Sequence, residues 1–574
     1  MAWIRLLGLA LLAAAFRCRA ADPVVLKIEG LREPLEKNVR ALLTLAGEDA
    51  ASTAERIRLA EQRAPDEVRE ALEPFGYYRP KISGSVSRRE NKWFAFYRVD
   101  PGPAITVSKV DVRLYGEARN EPEMRALVDR FPLKQGDVLD HTLYEKGKGA
   151  LESLSAEMGF FDARFRRHEI RVDLKPYDAR IVLYLDSGKR ARFGEVKFSD
   201  SPLDTELLQR FVRFKPGDPF RASKMLALQR SLLNSGYFNR ADVAPKVDEK
   251  NNGITPIAVE LGMAPRNRYE LGAGFGTDTG PRVSLGYRNR FVNSYGHTFK
   301  ASARLSLIWN EIDAVYAIPL ADPEKDQLAF TGKSGLEDTV AGRTKVARGC
   351  VRHTTTRWDL REILALDFSR ENFTIAGVNQ TTDLLIPSAS YSYLSSDDEI
   401  YPKAGWRMDG NLAGAWEGIV SNVSFARLRL FAKGVYSFDD LTKFLARGQA
   451  GVMVTDDFDR LPLTQRFYSG GDQFVRGYRL NEISPVNSEG QRIGGRQLLV
   501  GSLEINRQIW GDWGAALFGD AGYVANDGVG PLKVGVGLGV RWRSPVGPVR
   551  LDFGVPLMKA LDPVQVHLVL GPDL

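Results

Sequence analysis

From Tyr269 onward, apolar and polar residues alternate along stretches that often reach ten or more positions. Residues 423–436 are the clearest case: Ala426, Leu428, Leu430, Ala432 and Tyr436 fall on one face, and Arg427, Arg429 and Lys433 on the other. In 534–542, Val534, Val536, Leu538, Val540 and Trp542 alternate with glycines and Arg541. In 549–555, Val549, Leu551, Phe553 and Val555 alternate with Arg550, Asp552 and Gly554, and near the end Val564, Val566, Leu568 and Leu570 alternate with Gln565 and His567. A period of two puts successive side chains on opposite faces of a strand. The pattern predicts strands over 269–276, 281–290, 296–309, 311–319, 326–337, 344–356, 357–371, 381–395, 405–416, 421–436, 443–455, 495–509, 513–525, 532–543, 547–557 and 563–571. These are sixteen, and an even number returns both ends of a barrel of hairpins to one side.

A soluble sandwich also presents one apolar and one polar face. Three features favour a membrane barrel instead. The strands are long, their polar faces carry charges and glycines unlike a packed core, and nothing else in the region could cover so many apolar faces. In hydrocarbon every backbone polar group must be paired, so a span built of strands closes on itself.

Between residues 22 and 265 the pattern is mixed, and it repeats. Gly76-Tyr77-Tyr78, Gly159-Phe160-Phe161 and Gly236-Tyr237-Phe238 recur at spacings of 83 and 77 residues, each after a helical stretch at 54–72, 143–158 or 222–234. Gly47-Glu48, Gly136-Asp137 and Gly217-Asp218 precede the three helices, and Gly102, Gly188 and Gly262 close the units. Each unit opens with a strand (24–28, 105–114, 191–198), continues with two helices and ends with two strands, which in the second copy are 163–174 and 179–185. The glycine before each aromatic pair is expected to end its helix in a left-handed conformation, and the aromatics to turn in over the small sheet.

Composition narrows the function classes. Five His and two Cys in 574 residues argue against a metalloenzyme and against a disulfide framework. The net charge is +7, but Arg5, Arg17 and Arg19 precede residue 22 in a stretch without acids, and the remaining +4 is too mild for a nucleic-acid binder. A basic start, an apolar run over 6–16 and small residues at Ala20 and Ala21 read as an export leader, too short to span a bilayer. Arg17 ahead of Cys18 speaks against a lipoprotein, and Cys350 is expected as a packed strand residue. There is no Gly-x-Ser-x-Gly elbow, phosphate loop or His-Glu-x-x-His, and His141, His168, His297, His353 and His567 are scattered. No enzyme site or cofactor is expected.

One stretch breaks the alternation. Residues 456–494 form a loop of about 39 residues, and loops of that length tend to be functional. It contains Val475-Arg476-Gly477-Tyr478, and two strands later comes Phe518-Gly-Asp520-Ala-Gly522. A sixteen-strand barrel leaves a wide, watery lumen that such a loop could fill by folding inward. Arg476 would then need an anionic partner. Asp520 shares a face with Phe518 and Gly522, opposite Leu517, Ala521 and Tyr523, so it points into the lumen. Glu504, between Leu503 and Ile505, points the same way. A guanidinium can hold two carboxylates through its fork of donors. Gly477 would let the chain turn sharply and Tyr478 would pack on the wall. An arginine merely solvated in the pore is the alternative.

These motifs resemble the Omp85 superfamily: Val475-Arg476-Gly477-Tyr478 matches its sixth-loop signature, Phe518-x-Asp520-x-Gly522 its thirteenth-strand signature, and the repeats are similar to its POTRA modules. Glu504 matches an acidic position that the family pairs with the loop arginine. The resemblance covers nearly the whole chain after the leader, and the three repeats are most similar to the TamA branch. General barrel-assembly members carry five repeats, and two-partner secretion transporters carry two behind a plug helix. The implied organisation is a leader over 1–21, POTRA modules over 22–103, 104–190 and 191–265, and a 16-stranded antiparallel transmembrane β-barrel over 266–574 in the outer membrane of a Gram-negative bacterium.

The resemblance also implies a function: helping other proteins, autotransporters among them, to enter or cross the outer membrane. It implies an inner-membrane-anchored TamB-like partner, outer-membrane client proteins and surrounding outer-membrane lipid. Gly272, Gly274 and Gly276 in the first strand, and Pro556, Pro563 and Pro572 around the last strand with its Val566 and Leu568, predict a weak seam. A client strand could add to the edges of that seam. General barrel assembly, two-partner secretion, a passive channel made anion-leaning by Arg427, Arg429 and Lys433, and a structural tether between envelope layers are the competing readings.

Overall fold

The structure, a computed structural model, describes residues 23–90, 92–249, 253–276, 280–545, 547–557 and 564–570. The expected leader, Pro563 and Pro572 lie outside them. Three small modules come first. The first comprises β1 (Val25–Glu29), α1 (Leu35–Leu42), α2 (Ala54–Leu72), β2 (Lys81–Arg89) and β3 (Lys92–Asp100). The second comprises β4 (Thr106–Tyr115), α3 (Pro122–Asp129), α4 (His141–Glu157), β5 (Arg164–Asp173) and β6 (Asp178–Asp186). The third comprises β7 (Arg192–Phe198), α5 (Thr205–Gln209), α6 (Ala222–Asn234), β8 (Phe238–Pro245) and β9 (Ile254–Met263). In every sheet the last strand is central, in the orders β1-β3-β2, β4-β6-β5 and β7-β9-β8.

Local chemistry explains these elements. Thr53 caps α2 by accepting from Arg56 N–H, and Asp140 caps α4 by accepting from Thr142 N–H at 2.7 Å. On α2, Ile57, Ala60, Ala64, Val68 and Ala71 form the buried stripe that helical spacing requires. On the central strand β6, Ala179, Ile181, Leu183 and Leu185 alternate inward and are buried.

Gly76, Gly159 and Gly236 have φ of +84°, +79° and +77°, the left-handed conformation expected after each helix. Gly47 and Gly262 lack it, so those two members of the marker series are not conformational counterparts of the rest. The aromatics also depart from expectation. Tyr77 packs in its own module, but Tyr78 packs on the core of the second, and Phe161 meets Phe220 edge to face with ring centroids 4.9 Å apart. The backbone supplies the reason. Gly76 O accepts from Ile105 N–H at 2.8 Å and Gly159 O from Ala191 N–H at 3.0 Å, just before β4 and β7. The chain after each glycine is therefore bound to the next module's entry, and the second aromatic follows it.

The barrel strands are β10 (Asn267–Gly276), β11 (Gly280–Asn289), β12 (Thr298–Ser306), β13 (Trp309–Pro319), β14 (Gln327–Thr339), β15 (Gly342–Arg357), β16 (Leu360–Ile375) and β17 (Val378–Ser396). They continue as β18 (Ala404–Ala415), β19 (Phe425–Ser437), β20 (Thr442–Thr455), β21 (Gln497–Trp510), β22 (Trp513–Ala525), β23 (Lys533–Ser544), β24 (Gly547–Pro556) and β25 (Gln565–Leu570). They form one sheet of 16 strands in sequence order, each antiparallel to the next. Among the described residues no helix is long and apolar enough to cross a membrane. The strands carry an apolar outer face. Leu428, Leu430, Leu503, Leu517 and Leu538 stand exposed on it. Trp513 and Trp542 are laddered and stacked at its rim, as in an aromatic girdle. Cys350 is half-buried on β15.

The chain divides into two compact units: the first two modules with part of the third, and the rest of the third with the barrel. The lumen differs from a uniformly watery one. Leu384, Ile386, Phe425, Met453, Leu498, Val500 and Val524 are buried together with Phe458, Leu461, Phe467 and Ile483 of the long loop. Here the inward positions of the strands are apolar as well, because the loop supplies the surface that covers them.

The core of the second module gives a direct check. Leu183→Ala removes a fully buried side chain and is expected to cost about 2–5 kcal/mol of module stability. It should lower the urea concentration at which the periplasmic modules of the full chain become protease-sensitive, with barrel mobility in electrophoresis unchanged.

Candidate functional site

The long loop spans residues 456–496 between β20 and β21. Hairpin parity starts it at the end of the barrel opposite the entry of β10, and from there it folds back inside. Three carbonyls fix its base to one guanidinium: Arg466 donates to Leu461 O, Ile493 O and Asp459 O at 2.7–2.8 Å. Phe467 and Gly495 exchange backbone hydrogen bonds at 2.9 Å, and Ser469 pairs with Ile483. The wall holds the loop from several strands. Thr464 Oγ1 donates to Glu371 on β16, and Thr382 Oγ1 donates to Arg460 O at 2.7 Å. On β20, Arg447 donates to Phe474 O at 2.8 Å. On β19, Arg427 donates to Gln465 O at 3.2 Å, and Arg429 lies 5.5 Å from the Phe467 ring.

At the tip Arg476 is buried, and all its donors are used. Nε donates to Asp520 Oδ2 at 2.8 Å, and Nη2 to Asp520 Oδ1 at 2.9 Å and to Ser502 Oγ at 3.3 Å. Nη1 donates to Glu504 Oε2 at 2.6 Å and to Asp552 Oδ2 at 3.0 Å. Five N–H groups thus meet five acceptors, the full capacity of a guanidinium. The Arg476 backbone N–H adds a further bond to Asp520 Oδ2 at 2.9 Å. The guanidinium carbon sits 3.5 Å from the centre of the Phe518 ring, a cation–π contact.

Glu504, Asp520 and Asp552 come from β21, β22 and β24. Arg541 on the intervening β23 donates to Glu504 Oε1 at 2.7 Å and to Asp552 Oδ1 at 2.6 Å. Two guanidiniums therefore bind three carboxylates, with Ser502 Oγ donating to Asp520 Oδ1 at 2.6 Å. Desolvated charges persist only when paired this completely, and deleting one partner of such a set typically costs about 3–5 kcal/mol.

The tip can reach the wall because the wall is bare there. A Cβ on Gly535 would stand 1.8 Å from Arg476 O, and one on Gly554 2.7 Å from Gly477 N. Gly477 has φ +94°, and a Cβ on it would stand 2.8 Å from Val555 C. Its N–H donates to His567 Nε2 at 3.2 Å. Val475 and Tyr478 are buried in the apolar cluster on either side of the turn.

The structure therefore brings Val475, Arg476, Gly477, Tyr478, Glu504, Phe518 and Asp520 together, while Gly522 lies two residues further along β22, against Leu499 and Val500 of β21. Asp552, Arg541, Ser502 and His567 were missed. Each is one inward polar residue in an alternating strand and carries no local mark of its partner. The seam residues lie elsewhere. Gly272 and Gly274 on β10 face Ser284 and Arg282 of β11, and Gly276 faces Gly280. On β25, Val566 and Leu568 face Phe553 and Leu551 of β24. Every consecutive strand pair is laddered, but among the described residues no ladder joins β25 to β10, although the two lie side by side.

Comparison with known proteins points one way. A family model described as the Omp85 superfamily domain matches residues 277–571, a POTRA model described as TamA domain 1 matches 25–101, and a POTRA model described as surface antigen variable number repeat matches 191–259. The outer membrane protein assembly factor BamA of Nitratidesulfovibrio vulgaris is 36% identical over 127 residues, which are 21% of this chain and only 16% of that protein. BamA of Neorickettsia risticii is 22% identical over 525 residues, 84% of this chain and 68% of that protein. The crystal structure of Haemophilus ducreyi BamA lacking POTRA domains 1–3 superposes with a TM-score of 0.67, covering 81% of this chain and 98% of that one at 13% identity, a likeness of fold.

Two substitutions test the anchor. Arg476→Ala removes the fork, and Gly535→Val drives a side chain into the Arg476 carbonyl. Each is expected to release the tip, by about 3–5 kcal/mol for the arginine, and to leave a folded barrel. Arg476→Lys should release it partially, because three donors from one nitrogen cannot span three strands. Cleavage of the loop by protease added from outside, with heat-modifiable migration as the folding control, reads all three.

Proposed function

Because the chain belongs to the Omp85 superfamily, we propose that it assists the assembly or secretion of outer-membrane proteins, by strand addition at the seam between β10 and β25 and by contacts of client proteins with the modules. It is an outer-membrane barrel with periplasmic POTRA modules. The observation that carries the proposal is that, among the described residues, β25 and β10 lie together without a ladder while every consecutive strand pair is paired. An unpaired edge in a membrane is costly, so a seam of this kind accepts a client strand more readily than any laddered pair.

The finer reading is a TamA-type role in autotransporter assembly, with an inner-membrane-anchored TamB-like protein as partner of the modules. It draws support from the TamA-type match over 25–101 and from the three modules. Their sheets keep two edge strands each, in which a periplasmic segment could pair. General barrel assembly is the second reading, favoured by the BamA relatives. A passive anion channel fits less well, since Arg427 and Arg429 engage the loop that fills the lumen.

Cysteine pairs scanned between 270–274 and 565–569, in a Cys350→Ser background, test the seam. Oxidised pairs are expected to abolish client insertion and reduction to restore it. Undiminished insertion with the seam locked would reject strand addition. Affinity capture of envelope proteins by the full chain separates the finer readings: recovery of an inner-membrane-anchored protein favours the TamA-type role.

A further inference from the structure

Resting on the seam reading above, we propose that His567 is a positioning residue that couples the docked loop tip to the last barrel strand, so that release of one loosens the other. β25 has six residues and only one described ladder, to residues 549–554 of β24. Leu568 and Leu570 face outward and are exposed, whereas His567 is fully buried on the inner face.

Its ring reaches the anchor in two ways. Nε2 accepts the Gly477 N–H at 3.2 Å, on the residue next to Arg476. In the ladder it stands opposite Asp552, whose carboxylate binds both Arg476 and Arg541. Gly477 also lies on the β24 backbone at Val555 and Pro556. The tip thus rests on the last two strands at once, and it reaches the terminal one through the His567 side chain.

The consequence follows from linkage. With the tip docked, β25 is held by its ladder on one edge and by His567 from inside. With the tip released, the hold through Gly477 is lost, and the pairing of β25 with its neighbours becomes easier to open. Coupling between two sites is reciprocal, so a strand entering at the seam that displaces β25 also weakens the hold on the tip. The loop would thereby report occupancy of the seam to the lumen.

The test uses the full chain in lipid nanodiscs, in a Cys350→Ser background with one reporter, Val475→Cys in the tip or Val569→Cys in the last strand, labelled by a water-soluble maleimide. Arg476→Ala is expected to speed labelling at the Val569 reporter about tenfold, and His567→Ala to speed the Val475 reporter by a similar factor. In the Arg476→Ala background His567→Ala should add nothing at the tip, and His567→Gln, which keeps an acceptor, should restore part of the slow labelling. If Arg476→Ala frees the Val475 reporter but leaves the Val569 reporter unchanged, the tip is anchored and the coupling is overturned. If both reporters behave as expected while seam-locked protein still inserts clients, the coupling stands and the seam reading fails. Heat-modifiable migration confirms an intact barrel for every variant.

Discussion

The account depends on one guanidinium. Arg476 gathers carboxylates from three strands, β21, β22 and β24, and a fourth strand supplies Arg541 as a second cation on two of them. A lone charge in that position would be expelled to water, and the loop with it. Paired as it is, it converts a loop of about 40 residues, which chain entropy would otherwise leave outside, into a filling for the lumen. The apolar cluster around Phe467 and Tyr478 adds burial but no direction. The fork sets where the tip sits, and the glycines of β23 and β24 let it sit against the backbone.

The barrel imposes the opposite kind of constraint. A membrane permits no unpaired edge, yet the sheet begins and ends on strands that lie together without a described ladder between them. The closed lumen and the weak seam meet at β24 and β25, where Gly477 touches both. The proposed function needs both features: a plug that keeps the barrel shut when idle and an edge that a client can reach.

Much of this was legible in the sequence, for physical reasons. Period-two alternation located all sixteen strands, because the outer face in lipid is apolar and the inner face, away from the part the loop covers, is largely polar or small. The glycine–aromatic pairs marked three modules because a left-handed helix end demands glycine. Arg476, Glu504 and Asp520 were singled out mostly by their resemblance to the family's signatures, and the need of a charge in a long inward loop for partners on the wall supplied the physical reason. Asp552, Arg541 and His567 escaped because their partner is distant in sequence and each looks like any inward polar residue. A faint signal existed: Gly535, Gly537 and Gly539 leave the inward face of β23 bare just beside Arg541. Leu498-Leu499-Val500 likewise breaks the alternation where the loop covers the inner face of β21. The second aromatic of the first two pairs was misplaced because no pattern within one module shows that its neighbour will bind the turn.

The most direct measurement is the distance between a nitroxide at Gln473 in the loop and one at Leu441 in the exposed turn between β19 and β20, by pulsed electron resonance on the membrane-embedded chain with Cys350→Ser. A tip pinned by its charges gives one narrow distribution that broadens when Arg476→Ala is introduced. A broad distribution in the otherwise native chain, or a narrow one that Arg476→Ala leaves unchanged, would contradict the account.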